Sequence, residues 1–333
     1  MRGWGSHRRD GGPRRFIDDL CRGPPRGPEA RGAVSLYPSL ASGDRVAVVA
    51  PSSSVQPEAL ASGISYLETL GFEVVSGDTI GLEDRFLAGP DLIRGSEVSR
   101  LFADPSIRGI FAARGGYGSA RILSEVDWAM VEQNPKVLVG FSDTTALQLG
   151  ALARANLVSY SGFLPNVDVA KGGGIDPDLD RSLIEALLHG RFDAIDGIQA
   201  VDAGGRTEGR LVGGCLSLVA SLVGTPYLPP FDSSVVFLED VGEAPYRIDR
   251  MLTQLIQAGV FEGTSAVLFG QFVRCDGDDE DGTVDEVIED FAGRVQCPVY
   301  VGLPYGHGAT RRLLPVGGYA TIENDRLSFE RGV

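Results

Sequence analysis

Short apolar strand segments alternate with helical segments through the first half of the chain, and this alternation constrains the fold more than any other feature of the sequence. The strand segments are rich in Val, Ile and Ala, as expected for strands that are buried on both faces. Between them, apolar residues recur at helical spacing. The alternation predicts a parallel β-sheet with helices on both faces. The predicted strands are residues 45–50, 72–76, 109–113 and 137–139, and the predicted helices are residues 58–70, 96–102, 119–123 and 144–153.

The second half of the chain is richer in predicted strands, although helical segments interrupt them. One of these helices begins with a capping box, in which Thr283 is followed three residues later by Glu286. The predicted strands are residues 234–238, 266–269, 299–302, 314–322 and 326–329, and the predicted helices are residues 179–188, 246–258 and 283–295.

We predict two folded domains and one disordered extension, since 333 residues are enough for two domains. The first domain, over residues 43–170, is a parallel, flavodoxin-like α/β domain. The second, over residues 205–333, is β-rich, and residues 171–204 connect the two. Residues 1–42 are rich in Arg, Gly and Pro, cannot bury a core, and are expected to be disordered.

Charge and cysteine usage narrow the function classes. A net charge of -15 argues against a protein that binds nucleic acid or an anionic membrane surface. No apolar run approaches the ~20 residues that a membrane-spanning helix needs. The four cysteines are scattered without a C-x-x-C pair. We therefore expect neither a disulfide framework nor a zinc site, and we expect a reducing, cytoplasmic location.

The segment over residues 136–151 is typical of a buried strand, a sharp turn and a helix. Ser142 lies in the turn, where its hydroxyl would be lifted out at the edge of the sheet, beside the amide N–H groups of the next helix. This is the geometry of a nucleophile elbow. The spacing is Gly-x-Ser-x-Thr rather than Gly-x-Ser-x-Gly, so a Ser or Asp that caps the helix of an ordinary turn is the alternative.

Two further reactive side chains lie just past predicted strands, as Ser142 does. Glu239 follows the strand at 234–238, and His307 follows the strand at 299–302. The crevice outside the carboxyl ends of strands is where α/β sheets bind ligands. A serine attacks well when a histidine takes its proton and a carboxylate fixes the tautomer of that histidine. If the two halves of the chain face each other, these three residues form a catalytic triad.

A glycine-rich loop, Arg114-Gly-Gly-Tyr-Gly, follows the third predicted strand. It fails as a dinucleotide-binding fingerprint because Arg121 occupies the place of the third glycine. Glycines let backbone N–H groups approach a substrate closely, so the loop is predicted to cradle an anion or oxyanion. A tight strand–helix turn without a ligand is the alternative.

Six segments, in order along the chain, resemble the LD-carboxypeptidase family of serine peptidases, the S66 or LD-carboxypeptidase/microcin-immunity group. The serine of GFSDTT falls on Ser142, the glutamate of FLEDVGE on Glu239 and the histidine of YGHG on His307. The resemblance implies a nucleophile in the N-terminal domain and a triad that is assembled across the domain interface. The segments span roughly residues 40–322 and are GDRVAVVAPSS, IFAARGGYGSARIL, NPKVLVGFSDTTAL, EGRLVGGCLSLVASLVGTPYLP, VVFLEDVGEAPYRIDRMLTQL and GLPYGHG.

The resemblance also implies a function, which is hydrolysis of the L,D amide bond that releases terminal D-alanine from murein tetrapeptides in cytoplasmic cell-wall recycling. The oxyanion would then be held by the backbone N–H groups of Asp143 and of Gly115 or Gly116. Arg114 would pair with the free carboxylate of the substrate. The expected partners are a murein peptide and a second copy of the chain, without nucleic acid, membrane, metal or cofactor.

Two departures from the family pattern bear on the substrate. Cys215 lies where the family commonly has Asn, and Ser161-Gly-Phe replaces a common His-Gly-Pro. Both changes could reshape the substrate pocket. The alternatives are a microcin-immunity-type enzyme that cuts an amide in an aminoacyl-nucleotide toxin, a non-catalytic binding protein on the same scaffold, and a nucleotide-binding oxidoreductase, which the incomplete glycine fingerprint disfavours.

Overall fold

The structure of the chain, a computed structural model, describes residues 39–169, 174–202, 204–276 and 282–330. The predicted disorder of residues 1–42 therefore falls almost entirely outside the described residues, and the predicted connection at 171–204 falls partly outside them. Two β-sheets and the helices packed on them form the described part of the chain. No helix in these ranges is long and apolar enough to cross a membrane.

The N-terminal half forms the parallel sheet that the sequence predicts. Its strands lie in the order β2-β1-β3-β4-β5, which is a flavodoxin-like, doubly wound order. The order reverses between β1 and β3, so the loops after these two strands diverge and leave a crevice at the carboxyl edge of the sheet. The strands are β1 (Arg45–Val49), β2 (Glu73–Ser76), β3 (Ile107–Ala112), β4 (Val137–Gly140) and β5 (Ser159–Ser161).

Helices cover both faces of this sheet. The predicted helix at 96–102 is longer than expected, and the segment at 119–123 is a short 3-10 helix, Ser119–Ile122. A second 3-10 helix, Ser142–Thr144, precedes the helix that follows β4. The α-helices are α1 (Pro57–Thr69), α2 (Asp91–Ala103), α3 (Trp128–Gln133), α4 (Thr145–Ala155) and α5 (Pro165–Asp168).

The C-terminal half contributes a second, eight-stranded sheet. Its order is β6-β14-β13-β8-β9-β10-β11-β7, with a parallel centre from β8 to β11 and antiparallel strands outside. The predicted capping box at Thr283 and Glu286 is confirmed. In chain order the elements are α6 (Pro177–His189), β6 (Ile195–Asp196), β7 (Gln199–Ala200), β8 (Thr207–Cys215), α7 (Leu216–Ser221), β9 (Ser234–Val241), α8 (Pro245–Gln257), β10 (Ala266–Val273), α9 (Val284–Ala292), β11 (Val299–Val301), β12 (Leu314–Val316), β13 (Tyr319–Glu323) and β14 (Arg326–Phe329).

The prediction of one strand over residues 314–322 is wrong. The segment breaks at Gly317, whose φ of +92° lies in the left-handed region and where a Cβ atom would lie only 2.7 Å from the Leu152 side chain. Before the break, β12 joins the first sheet antiparallel to β5; after it, β13 pairs with β8 in the second sheet. The chain therefore crosses between the two sheets at a single turn.

The two halves share a hydrophobic core. The larger buried cluster contains Leu138 of β4, Leu149 of α4 and Val236 of β9. At the start of α4, the Thr145 hydroxyl accepts a hydrogen bond of 3.2 Å from the amide of Cys215, the last residue of β8. This packing fixes the carboxyl end of β4 against the carboxyl ends of β8 and β9.

Candidate active site

Ser142 lies on the sharp turn that the sequence predicts after β4. Its φ is +63°, in a backbone region that a non-glycine residue rarely adopts. Such a conformation costs about 1–3 kcal/mol and persists where the surroundings over-determine it, as they do at catalytic elbows. The strain is held in place by α4, which begins at Thr145 and is buried along most of its length.

His307 lies within hydrogen-bonding distance of both other predicted triad residues. His307 Nε2 is 2.9 Å from Ser142 Oγ, and His307 Nδ1 is 2.8 Å from Glu239 Oε2. Glu239 is fully buried, whereas the His307 side chain is 20% exposed. A base thus contacts the hydroxyl, and a buried carboxylate contacts the far nitrogen of that base.

Glu239 does not follow its strand, as the sequence analysis predicted; it lies inside β9. The polar pair Glu239-Asp240 resembles a strand end, but β9 continues because Asp240 pairs with Phe272 of β10. The Asp240 carboxylate also accepts a 2.7 Å bond from the Ser217 amide, which satisfies one of its oxygens inside the fold. In register with Cys215 of β8, Glu239 is thereby held beside the start of α4.

Burial raises the pKa of Glu239, and the hydrogen bond and charge of His307 oppose that rise. Glu239 Oε2 bonds to His307, while Oε1 has no hydrogen-bond partner among the described residues. The Glu239 carboxylate thus has His307 as its hydrogen-bond partner. Because a carboxylate accepts a hydrogen bond, it favours the tautomer of His307 with the proton on Nδ1, which leaves Nε2 able to accept a proton.

His307 is carried by the loop after β11, and Gln271 of β10 anchors that loop. Gln271 Oε1 accepts from the Gly308 amide at 3.1 Å, and its Nε2 donates to the Thr310 carbonyl at 3.2 Å. The ring of Phe141, the residue before the nucleophile, lies 4.6 Å from the His307 ring. Sequence reasoning missed Gln271 because its partners are backbone atoms distant along the chain.

The Gly-rich loop lies against Ser142. A side chain on Gly115 would come within 2.8 Å of Ser142 Cβ and 3.3 Å of the Asp143 amide nitrogen, so only glycine fits there. Gly116 faces the other way, toward the Ser53 side chain. Among the described residues, no group accepts a hydrogen bond from the N–H of Gly115, Gly116 or Asp143. Of the three predicted oxyanion donors, Asp143 and Gly115 therefore lie next to the nucleophile with N–H groups that have no acceptor among the described residues.

Arg114 lies at the start of the same loop and is half-buried. Its Nη1 donates to the Ser54 carbonyl at 3.2 Å, and its Nη2 would be 3.9 Å from a side chain on Gly116. The guanidinium is thus held between the loop after β1 and the loop after β3, at the reversal of the strand order.

A buried ion pair that the sequence analysis missed borders the triad. Arg311 pairs with Asp168, donates to the Gly162 carbonyl at 2.7 Å, and lies 4.5 Å above the Phe141 ring. Burial raises the pKa of Asp168, and the charge of Arg311 opposes that rise. The pair joins the histidine loop to the segment after β5, and nothing in the spacing of the sequence signals it.

Both departures from the family pattern are buried. Cys215 Sγ lies 3.4 Å from Asp240 Oδ1, and burial raises the pKa of its thiol well above the ordinary value. The Ser161 hydroxyl is 2.7 Å from the Tyr305 hydroxyl and donates to Gln148 Oε1 at 3.0 Å. The two positions take part in packing next to the triad rather than facing solvent. Among the described residues, no group of His, Cys, Asp and Glu is arranged to hold a metal ion.

Comparison with known proteins points to one family. The model of the LD-carboxypeptidase N-terminal domain matches residues 46–162, and that of the LD-carboxypeptidase C-terminal domain matches residues 208–322. The murein tetrapeptide carboxypeptidase of Pseudomonas aeruginosa is 32% identical over 297 residues, which are 86% of this chain and 95% of that protein. The microcin C7 self-immunity protein of Escherichia coli is 26% identical over 327 residues, 88% of this chain and 96% of that protein.

A solved structure is similar to nearly the whole described chain. The muramoyltetrapeptide carboxypeptidase from Oxalobacter formigenes superposes with a TM-score of 0.78 at 28% identity, covering 87% of this chain and 99% of that one. The pairing of a parallel sheet with a second sheet is thus shared over the full length of that protein.

Proposed function

Since the chain belongs to the LD-carboxypeptidase family of serine peptidases, we propose that it releases terminal D-alanine from murein tetrapeptides with Ser142, His307 and Glu239 as its catalytic triad. The chain is a serine-type carboxypeptidase. Two contacts support this assignment of residues. Ser142 Oγ lies 2.9 Å from His307 Nε2, and His307 Nδ1 lies 2.8 Å from Glu239 Oε2.

Acylation begins when His307 Nε2 takes the proton of Ser142 as Oγ attacks the amide carbonyl carbon. Glu239 accepts a hydrogen bond from Nδ1–H and stabilises the imidazolium that forms. The imidazolium then gives its proton to the amide nitrogen, the C–N bond breaks, and D-alanine leaves. Water, activated by the same histidine, hydrolyses the acyl-enzyme and restores Ser142.

Charge that develops on the carbonyl oxygen needs donors that are already in place. We assign this role to the N–H groups of Asp143 and of Gly115 or Gly116. Asp143 and Gly115 border Ser142, and none of the three N–H groups has an acceptor among the described residues. One such donor contributes about 100- to 1000-fold in rate.

Arg114 is the residue that we assign to the terminal carboxylate of the substrate. A carboxypeptidase must bind a free carboxylate, and a guanidinium pairs with it in a bidentate geometry. Arg114 is half-buried at the reversal of the strand order, next to the loop that borders Ser142. That position favours it over the arginines on the outer faces of the sheets.

The test is product analysis with L-Ala-D-Glu-diaminopimelate-D-Ala. We expect mass spectrometry to show loss of one D-alanine with the native chain and no turnover with Ser142→Ala, which should still bind the tetrapeptide. Turnover by Ser142→Ala would remove Ser142 from the mechanism. Hydrolysis of an acyl-sulfamoyl adenylate without cleavage of the tetrapeptide would instead support the microcin-immunity-type function.

We further propose a cytoplasmic homodimer that does not bind nucleic acid. The described cysteines, Cys215, Cys275 and Cys297, are free thiols, which favours a reducing compartment. The net charge of -15 opposes contact with a polyanion. Light scattering of the purified chain tests the dimer, and a monomeric mass at micromolar concentration would contradict it.

A further inference from the structure

Two buried charges outside the triad, Arg94 of α2 and Asp143 beside the nucleophile, hold the loops that border Ser142. Arg94 is 0% exposed and Asp143 is 3% exposed. The loops are the one after β1, residues 50–54, and the Gly-rich loop after β3, residues 114–118, which Ser119 follows. A buried charge is stable only when hydrogen bonds satisfy it, so the partners of these two side chains define what they do.

The Asp143 carboxylate accepts hydrogen bonds from both loops. Its Oδ2 accepts from the Ser52 hydroxyl at 2.6 Å and from the Ser119 amide at 2.8 Å, and its Oδ1 accepts from the Gly118 amide at 3.3 Å. The Ser119 hydroxyl also donates to the backbone carbonyl of Asp143. The side chain and main chain of one residue thus attach the nucleophile turn to both loops.

The Arg94 guanidinium contacts the same two loops. Its Nη1 donates to the Pro51 carbonyl and, at 2.9 Å, to the Gly118 carbonyl, while its Nε donates to the Gly89 carbonyl at 3.2 Å. Its Nη2 pairs with Asp91. The planar fork of an arginine is needed to reach these separate acceptors at once.

The two charges therefore hold the same points of the backbone. Gly118 donates its N–H to Asp143 and offers its carbonyl to Arg94. In the other loop, Pro51 bonds to Arg94 and the next residue, Ser52, bonds to Asp143. The Gly-rich loop is fixed at its far end in this way, three residues from Gly115.

We propose that Arg94 and Asp143 are positioning residues that hold the Gly-rich loop so that its N–H groups meet the oxyanion formed at Ser142. The proposal rests on the proposed serine-hydrolase function. Three of the four residues at 115–118 are glycines, which have little conformational preference of their own, so contacts from outside the loop help to fix it. Donors that are already in place lower the barrier because no reorganisation is required during the reaction.

Asp143→Asn is the direct test, since it keeps the backbone N–H of residue 143 but replaces an acceptor that faces donors with an amide. We expect kcat to fall about 100-fold, as for loss of one oxyanion donor, with KM nearly unchanged. Affinity for a phosphinate tetrapeptide analogue, which carries a tetrahedral anion, should fall by the same factor. A residue that only supported the fold would leave both values unchanged per folded molecule, and that result would overturn the proposal.

Two further variants keep the test decisive if Asp143→Asn folds poorly. Ser52→Ala removes one of the bonds to Asp143 and should lower kcat about fivefold with the same pattern. Arg94→Lys cannot reach both loops, and its loss should be less than additive with that of Asp143→Asn, because both hold one loop. Additive losses would contradict a shared anchor.

Tyr66→Phe is the matched control. It deletes a half-buried hydrogen bond of 2.6 Å to Asp180, and neither residue belongs to the two loops, so the change should lower the Tm without changing kcat or analogue affinity. Labelling of Ser142 by a fluorophosphonate reports the same donors without a peptide. Slower labelling in the Asp143 and Ser52 variants would support the shared anchor, and unchanged labelling would refute it. If the native chain is labelled but does not cleave the tetrapeptide, the proposed substrate is refuted and the labelling rates still test the anchor.

Discussion

At the scale of single residues, Glu239 couples activity to stability. Its pKa is raised mainly by burial, so the folded chain binds the proton of this carboxyl group more tightly than the unfolded chain does. A raised carboxyl pKa contributes stability below the unfolded value, about 4.3, that is lost as the pH rises through the folded value. At neutral pH the ionised side chain therefore opposes folding while it orients His307.

Replacing Glu239 with Gln should separate these two effects. We expect kcat to fall about 10⁴-fold, because an amide does not select the productive tautomer of His307. Differential scanning calorimetry measures the Tm difference between Glu239→Gln and the native chain. We expect this difference to shift in favour of the variant when the pH is raised from 4 to 7, because only the native chain then carries the buried charge. The exposed Glu208→Gln provides the control, and an equal Tm difference at both pH values would show that burial of Glu239 carries no such penalty.

Arg114 is predicted to discriminate between free and blocked carboxyl termini. The native chain should prefer the tetrapeptide over its C-terminal amide, and Arg114→Gln should raise KM for the free acid about 10- to 100-fold. KM for the amide should stay unchanged, because no ion pair is lost there. Arg108→Gln, an exposed arginine on β3, is the control; equal effects on acid and amide would assign the carboxylate to another residue.

The site residues that the sequence predicts lie in a recognisable local sequence pattern, and those that it does not predict lie in none. Ser142 and His307 lie in glycine-containing turns that follow apolar runs, and Glu239 comes directly after an apolar run. A local sequence pattern therefore indicates all three. Arg94 and Gln271 act on backbone carbonyls and amides that are distant along the chain. Hydrogen bonds of this kind produce no periodicity or spacing in the sequence, so only the folded structure shows them.

At the scale of elements, the loop that carries His307 depends on Gln271 of β10. Gln271→Ala removes two hydrogen bonds, each contributing about 1 kcal/mol, from Gly308 and Thr310. We expect kcat to fall about tenfold, because His307 spends less time aligned with Ser142. Stopped-flow and steady-state kinetics test this, with the exposed Gln257→Ala as control; an unchanged kcat would mean that other contacts hold the loop.

Element prediction located the long helices, although α2 begins five residues earlier than expected, and it missed several segments that are short or rich in glycine. The amphipathic α8 was predicted within one residue at each end. The three-residue β5 and six-residue α3 are too short to show a period. β8 was missed because Gly213 and Gly214 interrupt its apolar run, although it lies next to β9 in the sheet. Tertiary pairing, rather than local preference, makes these segments regular.

At the scale of the whole molecule, the two halves should unfold together. The larger hydrophobic cluster includes residues from both sheets, and β12 adds a strand from the C-terminal end of the chain to the N-terminal sheet. Neither half can lose its packing without exposing apolar surface of the other. The nucleophile and its base lie in different halves, so activity requires both.

Calorimetry of the full chain should therefore show one transition, with calorimetric and van't Hoff enthalpies equal. Leu67→Ala in α1 and Leu252→Ala in α8 each delete a fully buried side chain, one in the smaller cluster and one in the larger. Each should destabilise the fold by about 2–5 kcal/mol and lower the single Tm. In both variants, thermal loss of activity should follow the calorimetric unfolding transition. Two resolved transitions, with Leu67→Ala shifting only one of them, would show that the N-terminal sheet is stable alone and that the shared core contributes little.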